Sequence, residues 1–557
     1  MNIEEVQRRL WEQSRDHKRH RELGTPLFPV DPYGGRIRNL MDLLHNPSWI
    51  AAACDRVLTR SRGKAAGVDG VTVQRFERSR DNRLEELRLE LKRGTYRPQP
   101  LRRVEIPKAN GKMRRLGIPC LRDKIVQEAI RMALEPVFEV EFHENSYGFR
   151  PNRSAHHAVS RCRQAALTGF TWVVEGDVKA CFDEISHKAI LRCLKEKVLD
   201  NKFLALIQLL LKAGVEIDGV VHPTTKGVPQ GGVVSPLLAN VVLNKLDWFV
   251  HSKSFHGMAS RERSNHGLSN IRFVRYADDW CVFLTRSHRR HAERLRDEIR
   301  EFLREFCGLE LSVEKTRITH VRDGYDFLGF NISTGVGKSG AIVPKIRVGR
   351  KAVTNIRNRL DEALLWRPMQ ESISVRLVRA SAVIRGWANY FKIAHNFSQV
   401  AHGLDHEAYW IAVKAICRKE DLTTAQCLRR YGVRNTIGIH DHCSLAQFND
   451  TASTYHASAP EPYRPGPVQS YWEDDDGDVS RILYDRLRPG SGDLKWKALI
   501  RDGFQCRQCN AAVYAATSHA DHILPVNRFA NLAMANSLEN IQTLCLPCHK
   551  LKTAREP

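Results

Sequence analysis

The feature that most constrains this chain is a pair of adjacent aspartates between two apolar runs. Asp278 and Asp279 stand between the mainly apolar stretches 271–274 and 280–284. Two β-favouring runs separated by Ala-Asp-Asp predict a hairpin with a tight polar tip. At ~4 Å and an effective dielectric of ~20, two like charges repel by about 4 kcal/mol. The pair is therefore either a solvated turn or a site for a compensating cation.

The composition predicts several domains and a polyanionic partner. The chain has 557 residues, with 87 Lys and Arg against 63 Asp and Glu, and a net charge of +24 at pH 7. This length predicts about three or four domains, and this charge favours nucleic acid and strongly salt-dependent binding. An anionic membrane is the alternative. No apolar run approaches the ~20 residues of a spanning helix, so we expect no membrane partner.

The cysteines indicate a reduced compartment and one metal site. Of the 14, ten are scattered singly, and four form two Cys-x-x-Cys pairs near the end of the chain. Four thiolates at this spacing predict a structural Zn²⁺. The 35 residues from 510 to 544 exceed the insert of a plain zinc ribbon, so we expect an additional element there; a purely structural zinc knuckle is the alternative. The residues concerned are Cys506, Cys509, Cys545 and Cys548, with Asp521, His522, Asn540 and His549 in or beside the insert.

Three long cations recur at six-residue intervals through a second predicted hairpin. Arg102, Lys108 and Arg114 flank an Asn-Gly pair at 110–111, which is a hairpin signal. Long cations on one surface suit a triphosphate, which needs several donors at once. Ordinary surface charge is the alternative.

A third carboxylate ends a predicted buried strand. The run from Trp172 to Asp177 is apolar until its last residues, and a helix is predicted from Lys179 to His187. Farther along, the glycine-rich loop around Gln230 would let the backbone approach a ligand closely.

Tyr276-Ala277-Asp278-Asp279 at a hairpin tip resembles the metal-binding motif of reverse transcriptases. The neighbouring segments resemble the bacterial group II intron-encoded reverse transcriptase/maturases with a C-terminal HNH nuclease, from about Leu40 to Lys552, with a weak patch between about Arg430 and Leu494. The resemblance implies a multidomain α+β fold: a right-hand polymerase whose palm sheet carries the hairpin, a helical thumb, and a zinc-bound ββα module. The implied domains are a basic helical extension (1–60), fingers and palm (61–340), thumb or maturase domain X (341–430), a DNA-binding region and linker (431–493), and the HNH endonuclease (494–557).

The resemblance also implies roles for residues of the polymerase. Asp177 and Asp278, with Asp279 secondary, would hold two Mg²⁺ ions. Phe182, five residues after Asp177, would select dNTPs by excluding a 2′-hydroxyl; a plain core phenylalanine is the alternative. The incoming nucleotide would be contacted by Arg102, Lys108, Arg114, Phe182 and Gln230, and the nucleic acid by Arg150, Arg153, Lys315 and Arg385.

In the tail, the resemblance implies an HNH catalytic site. His522 would be the general base, Asn540 would orient it, and Asp521 with His549 would bind a divalent ion. The first metal-binding position is Asp where many relatives have His. Since carboxylate favours Mg²⁺ or Mn²⁺, we expect one of these ions.

The expected function is that of a multifunctional intron protein. It would copy intron RNA into DNA, promote splicing of that RNA, and nick the target DNA to prime synthesis. The expected partners are group II intron RNA, target DNA and dNTPs, in the cytoplasm beside the nucleoid, with a dimer as one open option. The alternatives are a retron-like or defence-associated reverse transcriptase, and a maturase that acts only in splicing.

Overall fold

A computed structural model describes most of the chain. The described residues are 1–23, 36–61, 65–107, 113–254, 270–285, 289–312, 316–337, 340, 342–433, 436–439, 444–454, 498, 501–502, 505–509, 518–524 and 540–553. They fall into two compact units, one ending at residue 454 and the other formed by the described residues from 498 onward.

The described helices and strands alternate irregularly, as expected for an α+β protein. The helices are α1 (Ile3–Leu23), α2 (Leu40–Leu44), α3 (Pro47–Ser61), α4 (Val73–Glu77), α5 (Arg80–Arg93), α6 (Leu121–Glu139), α7 (Ala155–Leu167), α8 (Cys181–Glu184), α9 (His187–Lys195), α10 (Asn201–Leu211), α11 (Ser235–Ser252), α12 (Arg289–Phe302), α13 (Arg350–Leu364), α14 (Ile373–Phe391), α15 (Phe397–Glu420), α16 (Thr424–Tyr431) and α17 (Leu546–Thr553). The strands are β1 (Leu101–Pro107), β2 (Met113–Ile118), β3 (Phe170–Asp177), β4 (Val215–Ile217), β5 (Val220–His222), β6 (Ile271–Tyr276), β7 (Asp279–Thr285), β8 (Arg317–His320), β9 (Tyr325–Phe327), β10 (Phe330–Val336), β11 (Ile342–Val348), β12 (Gly432–Val433), β13 (Thr436–Ile437), β14 (Ser518–His522) and β15 (Ile541–Cys545).

The first unit contains an antiparallel sheet with strand order β6-β7-β3-β8, which we call the palm. Successive side chains of a strand point to opposite faces. Val174 and Val282 accordingly enter one hydrophobic core, and Val173 and Phe283 enter the other. Because both faces are covered, the sheet is a rigid support for whatever lies at its ends.

The predicted basic hairpin forms as β1 and β2, within a sheet of order β2-β1-β4-β5. The register pairs Arg102 with Ile118 and Ile106 with Arg114, so both arginines lie on the same face. Lys108, at the tip, lies outside the described residues.

The helix predicted from Lys179 to His187 is wrong in its extent. Ala180 adopts a left-handed conformation (φ 47°) and begins the short α8, which ends at Glu184, and α9 begins at His187. A left-handed residue after Asp177 turns the chain sharply away from the strand end.

The helix α1 packs on α6 and is partly buried. Gln7 donates a 2.8 Å hydrogen bond to the carbonyl of Met132 in α6, and Trp11 and Ser14 are buried on the same face.

The helices α13 to α16 form a bundle, which we call the thumb. Trp387 is buried in α14 and packs edge-on against Phe448 at 5.3 Å. Residues 444–450 belong to the same core, since the Asp405 carboxylate accepts from the backbone N–H of Phe448.

In the second unit, β14 and β15 pair antiparallel and α17 follows directly. The strand and helix order matches the expected ββα arrangement. Within the described residues of both units, every helix is too short or too polar to span a lipid bilayer.

Candidate active sites

Three carboxylates meet at one end of the palm sheet. Asp177, the last residue of β3, pairs with Asp279, the first residue of β7, and Asp278 occupies the turn between β6 and β7. The buried thiol of Cys181 lies beneath them; burial raises its pKa, and the negative charges of Asp278 and Asp177 raise it further. The structure therefore brings together the three residues that sequence analysis grouped only by resemblance.

The hairpin turn has a strained backbone and a tightly packed setting. Ala277 has φ 58°, a left-handed conformation that costs most residues roughly 1–2 kcal/mol. A Cβ atom on Gly148 would lie 2.3 Å from the backbone nitrogen of Ala277. A Cβ atom on Gly176 would lie 1.9 Å from the ring of Trp280. Glycine at these two positions lets neighbouring segments of the protein pack closely beside the carboxylates.

A buried ion pair holds the turn from behind. The guanidinium of Arg275, which is fully buried, donates two 2.7 Å hydrogen bonds to the carboxylate of Asp247 in α11. It also donates to Asn240 at 2.8 Å and to the carbonyl of Ala277 at 2.9 Å. Burial raises the pKa of Asp247, and Arg275 opposes that shift.

Sequence analysis missed this network. A usable signal was present in the chain: Arg275 directly follows the apolar pair Phe273 and Val274 in a strand, and Asp247 falls on the apolar face of a helix beside Leu243, Leu246 and Val250. Charges at such positions are almost never buried unless they are paired.

The predicted nucleotide loop lies against α8. The backbone N–H of Val228 donates to the carbonyl of Phe182 at 2.6 Å, and the side-chain amide of Gln230 donates to Asp183 at 3.2 Å. The carbonyl of Gln230 accepts from Gly117 in β2 at 2.9 Å, which ties the loop to the basic hairpin. Phe182, half-buried, has its ring edge-on to Phe149 at 6.5 Å. The structure thus places Phe182, Gln230 and the base of the hairpin together.

On that hairpin, Arg114 is exposed, and the Nε of Arg102 donates to the carbonyl of Ala66 at 2.9 Å. Both arginines lie on one hairpin face, as the register requires.

The structure contradicts one predicted nucleic-acid contact. Arg150 is buried, and its guanidinium binds the carboxylate of Glu139 and the carbonyls of His143 and Ser146. Because the guanidinium is buried and at least four of its five N–H donors are used inside the protein, Arg150 has a structural role. Arg153 is partly exposed, with its guanidinium 5.5 Å from the ring centre of Tyr147.

Of the two other predicted nucleic-acid contacts, only Arg385 lies within the described residues. Arg385 is exposed on α14, on the opposite side of the helix from the buried Ile384 and Trp387. Lys315 lies outside the described residues.

The four predicted zinc ligands converge in the second unit. The sulfur atoms of Cys506, Cys509, Cys545 and Cys548 all lie within 4.8 Å of one another. Burial opposes ionisation of the Cys506 thiol, but backbone N–H groups of Cys545, Cys509 and Gln508 outweigh it and lower its pKa to about 6. Four converging thiols, one of them readily ionised, fit a tetrahedral Zn²⁺.

The predicted nuclease residues lie on the strands and helix of the same ββα unit. Asp521 and His522 end β14, and His549 lies in α17 with its Nε2 3.8 Å from a carboxylate oxygen of Asp521. A carboxylate and an imidazole at this separation fit one divalent ion with bonds of roughly 2.1 Å. Lys552 contacts both the Asp521 carboxylate and the carbonyl of His522.

Asn540 is bonded to the backbone beside His522. Its amide accepts from the backbone N–H of Leu524 at 2.9 Å and donates to the Leu524 carbonyl at 3.1 Å. These bonds hold the chain two residues after His522.

Comparisons with known proteins agree with this geometry. The family model described as reverse transcriptase (RNA-dependent DNA polymerase) matches residues 106–332, type II intron maturase matches 356–460, and HNH endonuclease matches 506–555. The chain is 37% identical over 353 residues to protein YkfC of Escherichia coli, covering 60% of this chain and 92% of that protein. It is 30% identical over 444 residues to the group II intron-encoded protein LtrA of Lactococcus lactis, covering 66% of this chain and 73% of LtrA. A solved telomerase from Candida albicans has 13% identity and a TM-score of 0.33 over 58% of this chain and 59% of that one, too low to support a conclusion.

The protein is therefore a reverse transcriptase joined to an HNH endonuclease. The first part contains the palm carboxylates, and the second contains the four converging cysteines. Within that class, the chain belongs to the group II intron-encoded proteins, and it combines reverse transcriptase, maturase and HNH endonuclease domains in one polypeptide. Both enzymatic domains use divalent metal ions, and the four cysteines are compatible with zinc.

Proposed function

We propose that the palm performs two-metal nucleotidyl transfer on an intron RNA template. The observation that carries this proposal is the cross-strand pairing of Asp177 with Asp279, with Asp278 in the adjoining turn. Three carboxylate side chains are the donor set that Mg²⁺ prefers. Two Mg²⁺ ions, when bound, supply Lewis acidity to the primer 3′-hydroxyl and the triphosphate. Asp177 and Asp278 would hold the ions, with Asp279 at the outer edge.

The residues around the carboxylates would select and orient the nucleotide. Arg102, Arg114 and Lys108 would donate to the triphosphate, and the contact between Gln230 and the hairpin supports one continuous pocket wall. Phe182 would lie under the sugar and exclude a 2′-hydroxyl, so that dNTPs are the substrates. Its ring is half-buried and packs against the hydrophobic core, so part of it stays accessible for such a contact.

The thumb would grip group II intron RNA during splicing. Arg385, exposed on α14, would contact RNA phosphate, and Arg153 and Lys315 would contact the nucleic acid closer to the palm. We also propose that the thumb and maturase part extends to about residue 454, past the limit of 430 expected from sequence. The packing of residues 444–450 on α14 and α15 supports this limit.

The HNH unit would nick target DNA and leave a 3′-hydroxyl for the palm to extend. His522 would take a proton from the attacking water. Asp521 and His549 would hold Mg²⁺ or Mn²⁺, which supplies charge stabilisation at the leaving oxygen. Asn540 would fix the histidine through the backbone of Leu524. A protein with these substrates would work in the cytoplasm beside the nucleoid, as a monomer or dimer.

Substitution of a palm carboxylate tests the polymerase assignment. Asp278→Ala or Asp177→Ala should lower primer extension on an RNA template by about a thousandfold, since each removes an ion ligand worth several kcal/mol in the transition state. RNA binding and the thermal unfolding midpoint should stay unchanged. Asp326→Ala removes a carboxylate of β9, outside the palm sheet, that accepts from Asn331, and it should extend normally. Normal extension by Asp278→Ala would remove the metal assignment.

A further inference from the structure

Phe149 combines two unfavourable features. It is a large apolar side chain that is 57% exposed, and its backbone is left-handed, with φ 57°. A single exposed apolar residue is common and needs no explanation. A bulky residue held in the left-handed region is uncommon, and such strain clusters at functional sites. Both features therefore require an explanation in the surroundings of the ring.

The conformation of Phe149 is imposed from both sides. Before it, Gly148 fits against Ala277 with no room for a Cβ atom, and the Asn240 amide donates to the Gly148 carbonyl at 2.8 Å. After it, Arg150 is anchored inside the protein on Glu139. With both neighbours fixed, the segment presents the Phe149 ring outward and cannot relax.

The ring is presented at the polymerase site. It stands edge-on to Phe182 with centroids 6.5 Å apart, and the backbone beside it contacts the turn that carries Asp278. Phe149 thus lies beside the residue proposed to sense the sugar, and it directly follows the backbone that contacts the turn carrying Asp278. In the proposed polymerase, the nucleosides at the growing end of the duplex would lie beside these groups.

We infer that Phe149 is a nucleoside-contacting residue of the polymerase, packing against the sugar and base at the growing end. The inference rests on the polymerase function proposed above. An aromatic ring offers no charged donor, so it suits the sugar and base and not the phosphates; aromatic contacts with bases tolerate any sequence. Two sources share this chemistry, the incoming dNTP and the primer-terminal nucleotide.

The experiment compares Phe149→Gly with wild type in the full-length protein, using steady-state primer extension and primer–template binding. Glycine adopts φ 57° freely, and a mostly exposed ring contributes little packing, so the unfolding midpoint should stay equal or rise. A KM for dNTP raised about tenfold would identify the incoming nucleotide as the partner. A primer–template Kd raised about tenfold would identify the primer terminus.

Two further variants separate contact from strain relief. Asp421→Gly relieves a left-handed residue (φ 52°) at the end of α15 and should leave both constants unchanged. Phe149→Tyr keeps the ring and should behave as wild type. If Phe149→Gly leaves both constants unchanged, the inference is overturned. If it lowers the midpoint by several degrees and Phe149→Ala does the same, the ring is structural and the inference is again overturned.

Phe182→Ala should be measured in parallel for incorporation of ribonucleotides against deoxyribonucleotides. This second measurement separates failure of the Phe149 inference from failure of the role proposed for Phe182. Altered discrimination by Phe182→Ala with normal kinetics of Phe149→Gly would overturn the Phe149 inference alone. Unaltered discrimination with a tenfold effect of Phe149→Gly would support Phe149 and remove the sugar-sensing role of Phe182.

Discussion

The two catalytic units are stabilised in different ways. The carboxylates of the palm stand on a sheet covered on both faces, with the Arg275–Asp247 pair fully buried behind the turn. The nuclease residues stand on two paired strands and one helix, next to four convergent thiols. Small units bury too little apolar surface to fold on that basis alone.

This difference shows that similar precision at an active site can come from different sources. In the palm, hydrophobic burial and one paired charge position the three carboxylates. In the tail, the structural metal is expected to supply most of the folding free energy. The two units should therefore unfold under different treatments.

The largest effect should come from removing zinc. Structural Zn²⁺ contributes about 10–16 kcal/mol of apparent binding free energy in small domains near neutral pH. A zinc-selective chelator, with Mg²⁺ kept in excess, should unfold the described residues from 498 onward and abolish DNA nicking. Extension of a supplied primer should persist, as measured by parallel nicking and extension assays.

Cys506→Ser should reproduce the effect of the chelator. Cys417→Ser, a half-buried thiol of the thumb, should keep both zinc and nicking. Joint loss of nicking and polymerisation in Cys506→Ser would show that the two units are not independent.

The next largest effect should come from the proposed general base. His522→Ala should slow nicking by about a thousandfold, the middle of the range for general acid–base catalysis. Because His522 is not one of the converging thiols, zinc content measured by metal analysis should stay at one per chain. Nicking at the wild-type rate would assign the base to another residue.

Breaking the buried pair in the palm should cost less than losing zinc but should affect polymerisation. Arg275→Met leaves the Asp247 carboxylate buried without its counter-charge, which typically costs about 3–5 kcal/mol. Extension should fall, since the carbonyl of Ala277 also loses its donor. Chemical denaturation with simultaneous extension assays measures both.

This variant should also be pH-dependent in a stated direction. Burial raises the pKa of Asp247 in the folded protein, and without Arg275 only the weaker effect of Arg150 opposes that shift. A carboxyl whose pKa is higher in the folded than in the unfolded state makes the protein less stable as pH rises. The loss of stability caused by Arg275→Met should therefore shrink when the pH is lowered from 7 to 5. Arg275→Met combined with Asp247→Leu should recover part of the stability. A deficit that grows on acidification would contradict the assignment of the buried charge.

The smallest effect should come from Arg385→Ala. Losing one phosphate contact should weaken intron RNA binding slightly and reduce the salt slope of affinity by about one. Arg379→Ala provides the matched control on the same helix, because that guanidinium is already paired with Glu371. An equal loss of RNA binding in both variants would point to general charge, with no specific contact at Arg385.

Much of the molecule could be predicted from local sequence patterns. The hairpin carrying Asp278, the strand ending at Asp177 and the four cysteine ligands follow from strand alternation, turn chemistry and spacing. The basic hairpin follows from the same rules, and its two described arginines share a face. These features depend on short motifs, such as strand alternation, turn residues and Cys-x-x-Cys pairs, which a sequence displays directly.

Other features were decided only by tertiary structure. Arg150 and Arg153 look alike in sequence, yet Arg150 is buried on Glu139 and Arg153 remains partly exposed. The pairing of Arg275 with Asp247, the register of Asp177 on Asp279 and the strained exposure of Phe149 likewise join distant segments. The environment of a charge or ring depends on which surfaces pack around it, and packing is a property of the whole chain.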